Sequence, residues 1–246
     1  MRKILLIIGL FALCIVSCTQ NKPIKFMSYN IRNAKGLDTV KDYNRIADII
    51  LKNAPDVVAV QELDSMTNRS GKIYLLGEIA AKTKMHANYY PAISFDGGKY
   101  GIGILSKVKP LSVKGYSLPG REEERALLVA EFKNYFFACT HLSLTQEDRM
   151  ASLETVFSVA QECSKPFYLA GDFNDTPGSE FIGKLQENFT VLNFSNEFTF
   201  PADTPNRTLD YIVVYTPTAE GVEIVGEEVL NEPVASDHRP VVVEVK

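Results

Sequence analysis

The chain has 246 residues, a formal net charge of −4 and 46% hydrophobic residues. This length can bury one large core, and the balance of apolar and charged residues excludes intrinsic disorder. The acidic pI of about 5.5 argues against a protein that holds polyanions by bulk charge. It does not argue against an enzyme that binds a single phosphate group through a metal cation. No internal repeat is present, which argues against solenoids and propellers.

The first 17 residues have the pattern of a secretion signal. Arg2 and Lys3 precede an apolar run at 4–16, which suits a signal-peptide core better than a membrane-spanning helix. Ile15-Val16-Ser17-Cys18 resembles a bacterial lipobox, so we predict removal of 1–17, a lipid on Cys18 and a tether at 18–23. The alternatives are an ordinary signal peptide and a membrane anchor. The expected location is the cell envelope, on the periplasmic or outer face of a bacterial membrane.

Removal of the signal would leave two cysteines besides the lipidated one. They are Cys139, in a strand-like run, and Cys163, near a predicted helix end. A disulfide is conceivable in an oxidising compartment, but two buried thiols are the expected state. No pair of cysteines has the spacing of zinc ligands.

Apolar runs and helical periods alternate along the rest of the chain. In chain order they predict a strand at 24–30, a helix after Asp42, a strand at 56–62, a helix around 73–80, strands at 100–106, 126–132 and 135–141, a helix after Thr145, a strand at 166–172, a short helix around 178–188, and strands at 209–215 and 239–246. Many strands with a few helices between them indicate two sheets packed face to face and flanked by helices.

Polar residues gather at the ends of these strands, namely Asn30, Glu62, Arg125, His141, Asp172, Asp210, Asp237 and His238. A turn at Lys133-Asn134 makes strands 126–132 and 135–141 antiparallel. Arg125, before one strand, and His141, after the other, must then lie at the same edge. If the other strands have the same orientation, all eight residues line one rim of the two packed sheets. Loops at the rim of a rigid scaffold commonly carry function.

The rim residues suggest phosphoryl chemistry with a metal. Five of them are hard oxygen donors, namely Asn30, Glu62, Asp172, Asp210 and Asp237, and Asn174, two residues after Asp172, is another. Two of the three histidines of the chain, His141 and His238, belong to the rim set and can act as acid or base near neutral pH. Arg125 can hold phosphate oxygens bidentately. Together these groups point to metal-assisted hydrolysis of a phosphate ester.

Six motifs, in this order, resemble those of the endonuclease/exonuclease/phosphatase superfamily: Ser28-Tyr29-Asn30-Ile31, Val60-Gln61-Glu62, Thr140-His141-Leu142, Gly171-Asp172-Phe173-Asn174, Leu209-Asp210-Tyr211-Ile212 and Ser236-Asp237-His238. The resemblance covers residues 24–246, nearly the whole mature chain. It implies an α+β fold, a four-layer α/β/β/α sandwich of the DNase-I type, in which two mainly antiparallel sheets are flanked by helices. It also implies cleavage of a phosphate ester with Mg²⁺, or with Mn²⁺ in its place.

The resemblance assigns the metal to one group of residues and the water to another. Glu62 is the implied principal metal ligand, with Asn30 and Asp237 beside it. Asp172 and Asn174 are implied to orient or activate the attacking water and to contact the phosphate. These roles are expectations carried over motif by motif.

The resemblance assigns the remaining roles to the histidines and their partners. Asp210 is implied to pair with His238, which acts either as general base or as a stabiliser of the transition state. His141 resembles a second histidine of the nuclease and sphingomyelinase-like branches, which contacts phosphate or protonates the leaving oxygen. Arg125 lies where several members place a supporting arginine. In DNase-I-like members a glutamate of the strand near 100–105 supports the second histidine; this strand contains no acid, so Glu122, Glu123 or Glu124 would have to replace it.

Composition and location narrow the substrate. Cleavage before Cys18 would remove Arg2 and Lys3 and no acid, which moves the net charge from −4 to −6 and weakens nucleic-acid affinity. We therefore favour a small or lipid-derived phosphodiester or phosphomonoester, with a metal-dependent nuclease as the alternative. A non-catalytic binding lipoprotein and a glycosidase with two rim carboxylates account for fewer of the rim residues. The expected partners are the substrate and, through Cys18, a membrane, and the expected state is a monomer.

Overall fold

A computed structural model describes residues 22–193 and 197–246. The predicted signal peptide 1–17 and Cys18 lie outside the described residues. The strands are β1 Ile24–Asn30, β2 Val57–Ser65, β3 His86–Phe95, β4 Gly98–Ser106, β5 Ser112–Leu118, β6 Arg125–Glu131, β7 Phe136–His141, β8 Phe167–Asp172, β9 Phe189–Val191, β10 Asp210–Tyr215, β11 Ile224–Val229 and β12 Val241–Val245. The helices are α1 Tyr43–Asn53, α2 Leu75–Thr83, α3 Gln146–Gln161 and α4 Glu180–Gln186.

The strands form two sheets of six. One has the order β11-β12-β1-β2-β4-β3, and the other has the order β5-β6-β7-β8-β10-β9. Parallel pairing occurs between β1 and β2 and between β7 and β8, and the other neighbours are antiparallel. Both sheets are therefore mixed and mainly antiparallel, as the sequence predicted.

Three apolar clusters give the molecule four layers. The cluster between the sheets contains Phe26 and Ile104 of the first sheet and Phe137 and Ile212 of the second. A second cluster packs α1 and α2 on the outer face of the first sheet. A third packs α3 and α4 on the outer face of the second. The three clusters confirm the predicted α/β/β/α sandwich. In this arrangement each sheet buries one face against the other sheet and its second face against a layer of helices.

The ends of α1 follow from local chemistry. Asp42 is its N-cap, and the carboxylate accepts hydrogen bonds from the amides of Asn44 and Arg45 at 2.9 and 3.2 Å. Ala54 ends the helix in the left-handed conformation, with φ 49° and ψ 44°. Helix α3 differs from the prediction: Thr145 is its N-cap residue, but the hydroxyl makes no capping hydrogen bond.

Four strands were absent from the sequence prediction: β3, β5, β9 and β11. Strands β3, β5 and β11 lie at or beside sheet edges and carry mostly exposed or half-buried residues, so their sequences lack a continuous apolar signal. Cys139 is buried, Cys163 is half-buried, and both are free thiols. Within the two described stretches of the chain, no helix is both long and apolar enough to cross a membrane.

Candidate active site

Strand register places three predicted site residues side by side in the second sheet. His141 ends β7 and lies opposite Asp172, which ends the parallel strand β8. Asp172 in turn lies opposite Asp210, the first residue of the antiparallel strand β10. The three side chains are almost fully buried, with 8%, 1% and 0% exposure. Two carboxylates this close repel each other unless positive charge or a proton lies between them.

The first sheet contributes Asn30 and Glu62. Asn30 ends β1, as predicted, but β2 does not end at Glu62: it continues to Ser65. Val60 lies opposite Gly103 and Leu63 opposite Gly101, so β2 contains one extra residue, and Glu62 occupies this bulge with φ 61°. A bulge re-aims a side chain out of the regular alternation. Glu62 therefore reaches the site from inside a strand rather than from its end.

Asn30 connects the two sheets at the site. Its amide nitrogen donates to Glu62 Oε1 and to Asp172 Oδ2, both at 3.0 Å. Its side-chain oxygen accepts from the Arg32 amide at 3.1 Å, and its main-chain oxygen accepts from Ser236 Oγ at 2.7 Å. Through these four hydrogen bonds Asn30 links Glu62 to Asp172 and to the segments that carry Arg32 and Ser236.

His238 completes the chain of contacts. Its Nδ1 atom lies 2.9 Å from Asp210 Oδ2, and its Nε2 atom lies 3.6 Å from Asp172 Oδ2. The predicted Asp210–His238 pair is therefore formed in the structure. The Phe200 ring packs against the imidazole with 4.8 Å between ring centroids, which shields the pair from solvent. Asp210 Oδ1 is buried and has no hydrogen-bond partner among the described residues.

Burial and neighbouring charge shift the pKa values of this group. Burial raises the pKa of Asp172 to about 7, with Asp210 adding to the rise and His238 opposing it. Burial works against a charged His238, but the carboxylates of Asp210 and Asp172 outweigh it and raise the pKa of His238 to about 10. Near neutral pH the structure thus favours an imidazolium at His238 beside a carboxyl group that can take or release a proton.

His141 differs electrostatically from His238. Its Nε2 atom lies 3.6 Å from Asp172 Oδ2. Burial, together with the charges of Arg125 and His238, holds the pKa of His141 well below its usual range, so the ring is neutral near neutral pH. Among the described residues, neither Glu122, Glu123 nor Glu124 makes a hydrogen bond to it. Glu122 acts on the ring through its charge, which opposes the lowering of the His141 pKa.

Arg125 and Asn174 also lie at this rim. Asn174 follows Asp172, whose Oδ1 accepts its amide at 2.9 Å, and its side chain donates to the Leu142 carbonyl at 2.9 Å. Arg125 is 6% exposed and is the first residue of β6, beside His141 on the neighbouring strand. Glu122 and Glu123 each lie 3.2 Å from one of its terminal nitrogens, so its charge is already partly balanced.

Asp237 lies near the site but faces an arginine that the sequence did not single out. Arg32 Nε is 3.4 Å from Asp237 Oδ2. Arg32, Asn33 and Ala34 all have positive φ, at 48°, 46° and 58°. A residue other than glycine in the left-handed conformation costs about 1–2 kcal/mol, so this turn is strained. The turn brings the Arg32 side chain to Asp237. The sequence signal was weak, because none of the three residues is a glycine.

Two further residues beside the site were not among the predicted ones. Tyr100, on β4, is 9% exposed, and burial together with the charges of Glu62 and Glu123 raises its pKa far above the usual range, so it stays protonated. Phe200, which covers His238, belongs to a loop without an apolar pattern of its own. Contacts of this kind depend on loops that approach only in the folded chain.

The donor set fits a hard divalent cation. Glu62 and Asp237 supply carboxylates, a ligand type that Mg²⁺ and Mn²⁺ accept. The Asn30 amide oxygen also belongs to the accepted types, and one of its two lone pairs already accepts the Arg32 amide. A second set, Asp172, Asp210 and His238, has candidate ligand atoms within 4.8 Å of one another. Within that set, His238 Nδ1 is already bonded to Asp210.

Known proteins share this fold. Residues 27–238 match the Endonuclease/Exonuclease/phosphatase family. Of the similar structures, a family member from Bacteroides vulgatus superposes with a TM-score of 0.75 at 17% identity, over 92% of this chain and 99% of that chain. A mannosyl-6-phosphatase from Bacteroides thetaiotaomicron gives 0.71 at 17% identity, over 91% and 99%.

A third similar structure is that of a human protein. The catalytic domain of human Nocturnin, with bound sulfate, gives a TM-score of 0.70 at 19% identity, over 91% of this chain and 93% of that chain. At these identities the structures establish the common fold, and the sequence match covers most of the chain. The chain therefore belongs to the endonuclease/exonuclease/phosphatase family, whose members hydrolyse phosphoric esters.

Proposed function

We propose that this chain is a divalent-metal-dependent hydrolase of phosphate esters, a phosphodiesterase or phosphatase with a small or lipid-derived substrate. One observation carries the proposal, namely a series of four contacts. Asp210 lies 2.9 Å from His238, and His238 lies 3.6 Å from Asp172. Asn30 is hydrogen-bonded to Asp172 and to Glu62, both at 3.0 Å. This series of contacts joins a candidate metal ligand to a proton-transfer pair across both sheets. A glycosidase needs neither the histidines nor the amide bridge.

Glu62, Asn30 and Asp237 would hold the metal, which we propose to be Mg²⁺, with Mn²⁺ as an alternative. When bound, such a cation supplies positive charge to the phosphate oxygens. Asn30 would hold Glu62 in position through its hydrogen bond. Glu62 is only half-buried, so its second carboxylate oxygen can meet a ligand that enters from solvent.

Asp172 and His238 would have different roles in the reaction. A carboxyl group whose pKa lies near 7 is suited to accept the proton of the attacking water. An imidazolium with a raised pKa is suited to stabilise the negative charge of the transition state. We therefore propose Asp172 as the general base and His238 as the stabiliser, with Asn174 orienting the water.

His141 and Arg125 would contact the phosphate. The low pKa of His141 keeps its ring neutral, which favours a hydrogen bond to a phosphate oxygen over protonation of the leaving group. Arg125 would add charge-assisted hydrogen bonds from nitrogens that its two glutamates leave free.

The substrate class rests on charge and on one relative. The net charge of −4 is unfavourable for a protein that binds long polyanions. A structural relative acts as a mannosyl-6-phosphatase, which supports a phosphate ester of modest size, although 17% identity does not carry the sugar over. A metal-dependent nuclease is the alternative, because a bound cation can supply charge locally.

We further propose that Cys18 carries lipid and holds the domain on a bacterial membrane, at the periplasmic or outer face of the envelope. The support is the apolar run at 4–16 that ends in Ser17-Cys18. Lipid head groups and scavenged phosphate esters would then be within reach of a monomeric enzyme.

A substrate panel tests the proposed function. Bis-p-nitrophenyl phosphate, p-nitrophenyl phosphate, sphingomyelin, inositol phosphates, sugar phosphates and plasmid DNA are assayed with Mg²⁺, with Mn²⁺ and with EDTA. We expect metal-dependent turnover of a small ester that EDTA abolishes. DNA as the best substrate would support the nuclease alternative, and no turnover with either metal would contradict the proposal.

A further inference from the structure

The carboxylate of Glu122 is the centre of a hydrogen-bond cluster beside the candidate site. It accepts from Ser143 Oγ at 2.7 and 2.9 Å, from the Leu144 amide at 2.7 Å and from Thr145 Oγ1 at 3.4 Å. It also accepts from a terminal nitrogen of Arg125 at 3.2 Å. One side chain thus meets donors from two segments that are about twenty residues apart.

These two segments carry residues of the candidate site. Glu122 lies three residues before Arg125, in the loop that leads into β6. Ser143 and Leu144 directly follow the end of β7, where His141 lies. The Leu142 carbonyl accepts from Asn174, and the Ser143 carbonyl accepts from Arg149 at 2.9 Å, so the segment after β7 is itself firmly held. It therefore gives Glu122 a rigid support.

Glu122 stays ionised under all ordinary conditions. Burial opposes its charge, but the hydrogen bonds from Ser143 and Leu144 outweigh burial and lower its pKa to about 2. Its negative charge is thus constantly present next to the Arg125 guanidinium. Arg125 is buried and its Nε atom has no partner among the described residues, so its orientation depends on the two glutamates at its terminal nitrogens.

We propose that Glu122 is a positioning residue, clamped by Ser143 and Leu144, that fixes the Arg125 guanidinium for contact with the substrate phosphate. The side chain of Glu122 is 28% exposed, and the buried Arg125 keeps its contact with Glu123 at 3.2 Å when Glu122 is replaced. A misplacement of about 1 Å in a group that contacts the reacting phosphate can cost up to about 100-fold in rate. Glu122 therefore matters more for activity than for folding. This inference rests on the proposed function.

A double-mutant cycle in kcat/KM tests the route through Arg125. On the best substrate of the panel, Glu122→Ala should lower kcat/KM by about 10-fold, mainly through KM, because the phosphate contact exists in the bound substrate already. In the Arg125→Gln background, Glu122→Ala should lower kcat/KM by less than about 2-fold, because the guanidinium that Glu122 positions is absent. Arg125→Lys provides a second background if the glutamine variant does not fold. Equal losses in wild type and in these backgrounds would overturn the proposal.

Glu124→Ala is the matched control. Glu124 belongs to the same loop, is exposed and makes no hydrogen bond or ion pair within the described part of the chain. It should keep the wild-type kcat/KM and melting temperature, and circular dichroism should show that Glu122→Ala is folded. A Glu122→Ala loss no greater than that of Glu124→Ala would also overturn the proposal.

A spectroscopic measurement separates this inference from the proposed function. In the full chain, the Nε–H resonance of Arg125 in ¹H–¹⁵N NMR spectra should shift or broaden in Glu122→Ala and stay unchanged in Glu124→Ala. If wild type hydrolyses no phosphate ester, the proposed function fails, and this resonance alone decides whether Glu122 fixes Arg125. An unchanged resonance in Glu122→Ala would refute the positioning role.

Discussion

His238 Nδ1 lies 2.9 Å from Asp210 Oδ2, and this pair joins residues that are 28 positions apart in the chain. Both side chains are buried, at 5% and 0% exposure. The carboxylate fixes which ring nitrogen faces Asp172 and favours the imidazolium form. The pair thus sets both the orientation of the ring and its charge at the centre of the site.

Asp210→Asn should remove tautomer control and charge stabilisation together. We expect kcat to fall by about 10²–10⁴-fold, with much less change in KM, because the pair acts mainly in the transition state. His238→Ala should lower kcat at least as much, and the double variant should have nearly the same kcat as His238→Ala alone. Asp203→Asn, at an exposed loop position bonded to Thr204, is the control. Fully additive losses would show that the two residues act independently.

The pH profile of kcat/KM should be bell-shaped. Asp172 has a raised pKa of about 7, so its reactive carboxylate forms as pH rises through that value. His238 has a raised pKa of about 10, so its imidazolium is lost as pH rises through that value. In Asp210→Asn the main source of the raised His238 pKa is gone, and the alkaline limb should move to lower pH. A limb that stays in place would contradict the assignment of this limb to His238.

Glu62→Ala should abolish metal-dependent turnover while the fold survives. Glu62 is half-buried in a bulge, so its loss removes a ligand without opening a core cavity. Calorimetric titration with Mg²⁺ and Mn²⁺ should show weaker binding, and circular dichroism should show an intact fold. Glu78→Ala, at an exposed position of α2, is the control. Full activity of Glu62→Ala at saturating Mg²⁺ would rule out Glu62 as the principal ligand.

Ala54→Gly should stabilise the protein by about 1 kcal/mol. Ala54 is exposed and ends α1 in the left-handed conformation, with φ 49°, which glycine adopts without strain. Denaturant unfolding measures the gain. Lys52→Gly, inside the same helix, should instead lower stability by about 1 kcal/mol. A destabilised Ala54→Gly variant would show that the left-handed conformation does not persist in solution.

The mature protein should begin at Cys18 and partition with membranes. Mass spectrometry of the membrane fraction should find lipid on Cys18, since this residue follows the apolar run at 4–16. Cys18→Ser should release the protein into the soluble fraction, whereas Cys163→Ser should not. A Cys18→Ser protein that stays with the membrane would remove the lipoprotein prediction.

The sequence by itself determined the layered fold and most residues of the site. Strong apolar runs predicted the central strands, and the turn at Lys133-Asn134 fixed Arg125 and His141 at one edge, because a tight turn forces antiparallel pairing. Polar residues that end buried strands, such as Asn30 and Asp172, stood out against their apolar surroundings. These signals are local, so they can be read along the chain.

Only the tertiary structure decided the contacts between distant segments. The bulge that aims Glu62, the strained turn that brings Arg32 to Asp237 and the clamp of Glu122 by Ser143 depend on neighbours far along the chain. The edge strands β3 and β5 likewise form by hydrogen bonding to their neighbours, with little apolar signal of their own. A pattern within one segment reports which face is buried, whereas the partner of a polar side chain is set by the packing of whole sheets and loops.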